Sequence, residues 1–552
     1  PLEIAREFVL NKFGLQSEDY VVRDVYQTQV PPVHHVYLRQ RISGLEVANA
    51  NMNINIDGEN RIISFGSAPG SQRPQLYRRE PVLAPTDAVV RLAQFMRTPI
   101  QNPDQIVELM FENLDGEGPA MVLQDVDIST DGDVPVGMSF IATDGGELVQ
   151  TYSIVLQTDQ AWVHAFVDTQ GGNVVALNSW TAHAQYRVFP LGANDPEADQ
   201  RQLVDSQSLA PGFSATWHSM ANGTTFTDTQ GNNVHAQADP TGRGDWLNLP
   251  RPQGNKDLQF DFPLDLTQAP SAYSDAAITN LFYWNNIIHD IFYSYGFNEV
   301  AGNFQTSNGD KGGRGGDAVV ANGQNGAGTN NADFATPPDG IRPRMRMYLW
   351  TVTNPQRDGD LESDIIIHEY GHGISNRLTG GPANANCLGW GESGGMGEGW
   401  SDFFSVVFRM KATHTASDNM LLGEYVMAGR GIRRYPYSIN QGTNPFSYAS
   451  LNSISTYDPH TIGTVWASIL YELYWNLLET LPFQPDLYSA SPNHGNTLAL
   501  LLVVTGLKLQ PCRPTFVTAR NAIVQAEELL THGQNKCAVW RAFAKRGLGI
   551  DA

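Results

Sequence analysis

Hydrophobic and polar residues alternate in several short runs within the first third of the chain. Alternation with a period of two is typical of strands that bury one face. The pattern predicts strands over residues 33–41, 50–56, 62–66, 161–167 and 173–178. Helical spacing of apolar residues over 5–15 and 86–96 precedes two groups of these strands. Residues 1–183 are therefore predicted to form an α+β region.

A different organisation follows once the alternating pattern ends near residues 179–185. The next part is rich in short β-like runs and loops, around one long helix predicted over 274–295. From residue 361 onward, helical periodicity dominates between Pro and Gly breaks. Predicted helices cover residues 362–378, 396–412, 461–479, 496–508 and 515–530. We therefore expect an α+β chain with three parts: 1–183, a β-rich part 184–360 and a helical part 361–552.

Length and charge limit the function classes that need to be considered. A chain of 552 residues exceeds what one hydrophobic core supports, so several domains are expected. The formal net charge of −22 disfavours nucleic acid and anionic membranes as partners. The sequence has no run of 18 or more apolar residues, which predicts no transmembrane helix. We expect a monomer with neither nucleic acid nor membrane as a partner.

The sequence holds three cysteines and an N-glycosylation sequon. Cys512 and Cys537 lie 25 residues apart, and a disulfide between them is predicted to contribute roughly 3 kcal/mol in the chain-entropy model. Cys387 would then remain as a small buried residue or, alternatively, as a regulatory thiol. Asn222 begins the tripeptide Asn-Gly-Thr and is therefore predicted to carry an N-linked glycan.

The sequence His-Glu-Tyr-Gly-His at 368–372 is an H-E-x-x-H motif within a predicted helix. Residues i and i+4 share a helix face, so His368 and His372 can direct two imidazole nitrogens at one Zn²⁺. Glu369 would lie beside the metal, where a general base is required. The alternative is a surface helix that carries two histidines and a glutamate by chance. The apolar residues 365–367 favour a buried helix, in which paired histidines need partners.

A catalytic zinc site needs a third protein ligand. The metzincin continuation would place Gly and His where this chain has Ser375 and Leu378, so that arrangement is excluded. A second predicted helix offers Glu398 and Asp402, which are four residues apart and share one face. We expect Glu398 to be the third ligand and Asp402 to accept the other N–H of a ligand imidazole. The alternative, a solvated acidic face, fits poorly with the aromatic residues around this pair.

These motifs resemble those of the fungalysins, secreted fungal zinc metalloendopeptidases related to thermolysin. The likeness rests on HEYGHGISNRL at 368–378 and GMGEGWSDF at 395–403. It continues in NADFATPPDG at 331–340 and AFAKRGLG at 542–549. The resemblance implies a thermolysin-like catalytic region with one Zn²⁺ per chain and protein or peptide substrates.

The first part of the chain is similar to the prosegment of the same family. The segments that carry this similarity are HVYLRQ at 35–40, GLEV at 44–47 and WVHAFVD at 162–168. The resemblance implies that residues 1–183 are an inhibitory and chaperone-like prosegment that binds the catalytic domain. It also implies secretion, and cleavage near the bond between His183 and Ala184.

Further site residues are implied by the resemblance alone. The segment ending in His460 is similar to the one that carries the family's oxyanion-stabilising histidine, although a histidine that merely begins a helix is the alternative. Arg433 matches the arginine that holds a substrate carbonyl better than Arg434 does, and a solvated basic pair is the alternative there. Asn331 and Ala332 match positions that contact the substrate backbone.

Three functions compete for this sequence. The first is a secreted zinc endopeptidase made as a zymogen. The second is an aminopeptidase, which would need a site for the free amine of its substrate, and no G-x-M-E-N-type segment precedes the motif. The third is a binding protein without catalysis, although His368, Glu369, His372 and Glu398 are all intact. Internal cleavage that is lost on Glu369→Gln would separate the first from the other two.

Overall fold

A computed structural model of the protein describes residues 1–29, 32–67, 80–96, 98–111, 120–130, 132–143, 147–158, 162–179, 184–205, 217–220, 224–244, 248–255 and 257–552. The described residues form two compact units, one up to residue 179 and one from residue 184 onward. Among the described residues, no helix combines the length and apolar character needed to cross a membrane.

The first unit is built on a sheet that is antiparallel except where β3 meets β7, and two helices pack on it. Its helices are α1 (Leu2–Phe13) and α2 (Pro85–Phe95). Its strands are β1 (Tyr20–Gln29), β2 (Pro32–Ile42), β3 (Leu45–Asp57), β4 (Ile62–Ser67), β5 (Val107–Phe111), β6 (Ala120–Gln124), β7 (Val134–Ala142), β8 (Leu148–Gln157), β9 (Trp162–Asp168) and β10 (Val174–Ser179). The sheet has the order β1-β2-β3-β7-β8-β9-β10, with β4 paired to β3 and the β5–β6 pair joined to β7.

Each helix of the first unit covers its own part of this sheet. Ala5 and Val9 of α1 pack on Leu38 and Ile54, whose side chains alternate with exposed ones along their strands. In the same way α2 covers the strands from β6 onward, where Ile154 is fully buried. The period-two pattern thus produces one buried face per strand, and each helix closes a separate core.

The second unit begins with short strands and ends in helices. Its strands are β11 (Gln185–Val188), β12 (Gln202–Asp205), β13 (Val234–Ala238), β14 (Gln259–Phe260), β15 (Val319–Gly323), β16 (Ala332–Ala335), β17 (Arg344–Met347), β18 (Leu349–Trp350) and β19 (Arg357–Asp358). Its helices are α3 (Ser274–Ser294), α4 (Ser363–Leu378), α5 (Gly391–Arg409), α6 (Pro459–Leu478), α7 (Gly495–Leu509), α8 (Phe516–Thr531) and α9 (Lys536–Lys545). The predicted α+β class, with a β-rich part before a helical part, is confirmed.

The long helix α3 joins the two kinds of structure in the second unit. It is buried on every face over residues 276–292, as expected of a helix at the centre of a domain. On one side it packs against the four-stranded sheet β13-β15-β17-β16, and on the other it contacts α4. This arrangement leaves β16 at the edge of the sheet, close to α4.

Several elements differ from the sequence prediction. Helix α5 begins at Gly391, five residues before the predicted start, because its glycines lie inside the helix instead of ending it. Helix α9 and, in the first unit, strands β1 and β5 to β8 were not predicted individually. In α9 the apolar positions Ala538, Val539, Ala542 and Phe543 do follow helical spacing, but over a span too short to stand out.

The predicted disulfide was wrong. Cys512 is bonded to Cys387, with their Cα atoms 4.7 Å apart, and Cys537 is an exposed free thiol on α9. Cys387 lies in the loop between α4 and α5, which approaches the α7–α8 loop although 125 residues separate the two cysteines. Short sequence separation was a poor guide here because the fold, not the chain distance, decides which Cα atoms come within bonding range.

Peptide mapping tests this pairing directly. We expect a Cys387–Cys512 cross-linked peptide from the unreduced protein, and alkylation of Cys537 alone without reductant. Because the bond closes a long loop, Cys512→Ser should lower the free energy of unfolding by about 2–5 kcal/mol. A Cys512–Cys537 peptide would contradict the packing of the loop after α4.

Candidate active site

Helix α4 places the two motif histidines side by side. His368 and His372 are one turn apart, and their Nε2 atoms approach to 3.1 Å. Helix α4 is buried along nearly its whole length, and both rings face the cleft. Two imidazole nitrogens at this distance need a proton or a metal cation between them, because otherwise two lone pairs would face each other.

Glycine at position 371 brings α5 close to this pair. A Cβ atom at Gly371 would lie 2.8 Å from Oγ and 2.9 Å from Cα of Ser401 on α5. Only glycine therefore allows α4 and α5 to pack at this distance, although glycine costs a helix interior about 1 kcal/mol relative to alanine. The close packing places the Glu398 carboxylate beside both histidines, with Oε2 3.2 Å from His368 Nε2 and Oε1 3.7 Å from His372 Nε2.

A second glycine brings α6 against α5. A Cβ atom at Gly463 would lie 2.5 Å from the Cβ of Glu398. Helix α6 begins just before this contact, where the Asp458 side chain accepts a hydrogen bond from the Thr461 N–H. His460 therefore stands at the helix N-terminus with Nε2 3.4 Å from Glu398 Oε2, and its side chain is 55% exposed.

The three candidate ligands fit a tetrahedral metal ion. Ligand atoms about 2.0–2.1 Å from a tetrahedral zinc lie about 3.3 Å from one another. The two Nε2 atoms are 3.1 Å apart, and the carboxylate of Glu398 approaches His368 with Oε2 at 3.2 Å and His372 with Oε1 at 3.7 Å, which are close to that value. Glu398 Oε2 is buried without a hydrogen-bond partner, which a cation would supply. Within the described residues, His368, His372 and Glu398 are the group of His, Cys, Asp and Glu side chains close enough to hold a metal.

Asp402 orients the first of these ligands. Its Oδ1 lies 2.7 Å from His368 Nδ1, so the ring donates there and presents Nε2 to the metal position. Arg433 donates two hydrogen bonds of 2.8 Å to the same carboxylate, and the Tyr437 hydroxyl donates to Oδ2. Burial alone would raise the pKa of Asp402, but Arg433 and His368 hold that pKa well below its usual range.

The two histidines titrate differently before a metal binds. Burial opposes protonation of His368, but Asp402 and Glu398 outweigh it and raise the pKa of this ring to about 10. Burial lowers the pKa of His372 to about 4. Before a metal binds, His368 therefore takes up a proton far more readily than His372, because Asp402 and Glu398 stabilise its charged form.

Glu369 faces the cleft from the same helix. Burial, together with the nearby carboxylates of Glu398 and Asp333, raises the pKa of Glu369 to about 8, against the opposing effect of His368. A carboxyl group with such a pKa can both accept and release a proton near neutral pH. The cleft above it has a volume of about 350 Å³, which is enough for several atoms of a bound peptide.

The walls of the cleft come from separate elements. Asn331, which precedes β16, and Ala332, its first residue, lie on one wall, and their contact with substrate stays a prediction. Ile365, Leu422 and Ile432 form an apolar part that motif reasoning did not identify. All predicted zinc ligands, Glu369, Asp402, His460 and Arg433 meet around this cleft. Arg434 does not line it, and its guanidinium lies over the Tyr435 ring.

Two further observations complete the comparison with the sequence. Tyr437 belongs to the site through its bond to Asp402, and no motif or spacing identified it. Tyr437 pairs with Met420 in an isolated antiparallel bridge. Asn222 and His183 lie outside the described residues, so the glycan and the cleavage bond stay predictions.

Replacing Gly371 tests whether helix packing sets the metal site. Gly371→Ala should lower zinc affinity by about 10–100-fold, the range seen when the contacts that support a ligand are disturbed. The matched control is Gly397→Ala on α5, where the nearest atom to a new Cβ is 3.8 Å away. Competition with a chromogenic chelator gives the affinities, and circular dichroism monitors the helices. Equal affinities for both variants and the parent would contradict this role of the packing.

Comparison with known proteins identifies the family to which the chain belongs. The sequence model of the fungalysin metallopeptidases (M36) matches residues 185–552, and that of the fungalysin/thermolysin propeptide motif matches residues 18–69. Extracellular metalloproteinase 3 of Arthroderma gypseum is 42% identical over 94% of this chain and 82% of its own length. The same coverage holds for extracellular metalloproteinases of Neosartorya fischeri, at 41%, and Aspergillus fumigatus, at 42%. The chain belongs to the fungalysin metallopeptidase family.

Proposed function

We propose that this chain is a zinc-dependent endopeptidase that acts outside the cell and is made as a zymogen. The observation that carries the proposal is the cluster of His368, His372 and Glu398 at tetrahedral spacing, with Glu369 beside it. Two imidazoles and one carboxylate with room for a fourth group suit catalytic Zn²⁺. The names of the relatives, extracellular metalloproteinases, support action outside the cell.

Hydrolysis in this cleft needs a base, an oxyanion donor and a carbonyl clamp. When bound, the zinc supplies Lewis-acid chemistry that activates water and polarises the scissile carbonyl. Glu369 accepts the proton of the attacking water at its carboxylate and later delivers a proton to the leaving nitrogen. His460 Nε2 donates to the oxygen that becomes negative, and its position at the rim leaves it free to reach substrate.

Substrate orientation falls to Arg433 and the edge strand. Arg433 is held by Asp402 through two of its nitrogens and still lines the cleft, so the rest of its guanidinium can bind a substrate carbonyl. Asn331 and Ala332 present polar groups of the edge strand to an extended peptide. A cleft that is open along a strand edge accepts the middle of a polypeptide, which favours endopeptidase over aminopeptidase action.

We further propose that residues 1–183 keep the enzyme inactive until a cut near residue 183. The propeptide motif at residues 18–69 supports this role. The prosegment would be the one protein that stays with the catalytic unit, which acts otherwise as a monomer with a glycan on Asn222.

Glu369→Gln separates metal binding from proton transfer. The variant should bind one zinc per chain as the parent does, since Glu369 is not a ligand. Its kcat on casein should fall by about 10²–10⁴-fold, because the general base is lost. His368→Ala is the contrasting variant and should lose the zinc itself. Casein hydrolysis by Glu369→Gln at the parent rate would exclude the proposed base.

Limited proteolysis tests the zymogen. The uncut chain should hydrolyse casein slowly, and activity should appear together with a cut near residue 183 and be abolished by 1,10-phenanthroline. The readouts are casein hydrolysis, the mass of the fragments and zinc content. Full activity of the uncut chain would contradict inhibition by the prosegment.

A further inference from the structure

One face of the pair formed by the edge strand β16 and strand β17 carries three charged side chains. Strand β16 pairs in antiparallel register with β17, so that Asp333 lies opposite Arg346 and Ala335 lies opposite Arg344. Residues opposite each other in such a pair point to the same side of the sheet. The intervening residues Phe334 and Met345 point to the other side. One face of this strand pair therefore presents one carboxylate and two guanidinium groups.

The carboxylate on this face is already neutralised. Arg346 Nε lies 3.0 and 2.9 Å from the two oxygens of Asp333, and Arg346 Nη2 lies 2.8 Å from Oδ2. The Tyr348 hydroxyl donates to the same oxygen. Asp333 is consequently engaged within the protein and offers little to a basic group of a ligand.

Arg344 is different from Arg346. Its side chain is exposed, and in the part of the chain that the structure describes it makes no ion pair or hydrogen bond. Its cross-strand neighbour Ala335 is exposed and has no atoms beyond Cβ, so nothing on β16 blocks the path from Arg344 to the free edge. The face thus has one uncompensated positive charge in a protein whose net charge is −22.

We propose that Arg344 forms a subsite for an acidic side chain of the bound peptide. The subsite rests on the proposed function, in which an extended substrate pairs with β16. A peptide residue opposite Ala335 would project onto the face of Arg344, since every strand keeps the same alternation. Neighbouring strands are about 4.7–4.9 Å apart, so the two Cα atoms would be about 10 Å apart. A guanidinium and a glutamate side chain can bridge that distance across an alanine.

The position of this subsite along the substrate follows from the strand. Residues 331–334 line the cleft with the metal ligands, and Ala335 lies just beyond it. Ala335 is three residues from Ala332, or about 10 Å along the strand. The favoured acidic residue should therefore lie three or four residues from the scissile bond, on the side that β16 binds.

The experiment compares peptides that differ at one position. Fluorogenic peptides carry Glu, Gln or Lys three or four residues from the scissile bond, and the full chain is activated by limited proteolysis. An exposed ion pair predicts a kcat/KM ratio of about threefold to fivefold for Glu over Gln. Arg344→Gln should bring the ratio to about one, and Arg344→Glu should favour Lys. The preference should decline as salt is added.

Arg541→Glu is the control for net charge. Arg541 lies on α9, is exposed and does not line the cleft. This variant should keep the preference for Glu and should cleave the Gln peptide at the parent rate, and circular dichroism of all variants shows whether their folds are intact. The absence of a preference for Glu in the parent, or its persistence in Arg344→Gln, would overturn the subsite. Cleavage of none of the peptides by the parent would instead overturn the proposed function and the subsite with it.

Discussion

The distance between α4 and α5 at Gly371 is the constraint on which the site depends. Packed helices usually lie 8–10 Å apart, and the side chains at the contact set the distance. With no side chain at Gly371, Ser401 rests directly on α4, and Glu398 meets the two histidines. Gly463 allows the same close packing between α5 and α6, which brings His460 near Glu398. Three helices thus converge through two contacts that admit no Cβ atom.

Buried carboxylates connect this centre to the wall of the cleft. Glu362, at the start of α4, accepts hydrogen bonds from the backbone N–H groups of Tyr425 and Val426. Asp364 pairs with Arg409 and also accepts from the backbone of the same loop. Burial raises the pKa of Asp364 to about 6, and Arg409 acts against that rise. The loop that continues to Leu422, Ile432 and Arg433 is therefore fixed to the first turn of the helix that carries the histidines.

The sequence predicted this centre well because its chemistry is local. His368 and His372 are one turn apart, and Glu398 and Asp402 are another such pair, so helix geometry alone aligns each pair. What joins the pairs is tertiary packing, and the same applies to Tyr437, which no local pattern identified. The prediction of the disulfide was wrong because this bond also depends on tertiary packing: Cys387 and Cys512 meet only after α4, α5 and α7 have packed. The fold class followed from periodicity, whereas α5 began earlier than predicted because a glycine run that would break an exposed helix is favoured in a tight contact.

The bond between Cys387 and Cys512 has a consequence for the lifetime of such a molecule. The segment between these cysteines contains Glu398, Arg433 and His460, which line the cleft. Copies of a protease digest one another, and exposed loops are where nicks fall first. A nick between the two cysteines yields two pieces that sulfur still joins, held also by the buried helices around them. The disulfide thus keeps the two pieces together after one copy of the enzyme has cleaved another between these cysteines.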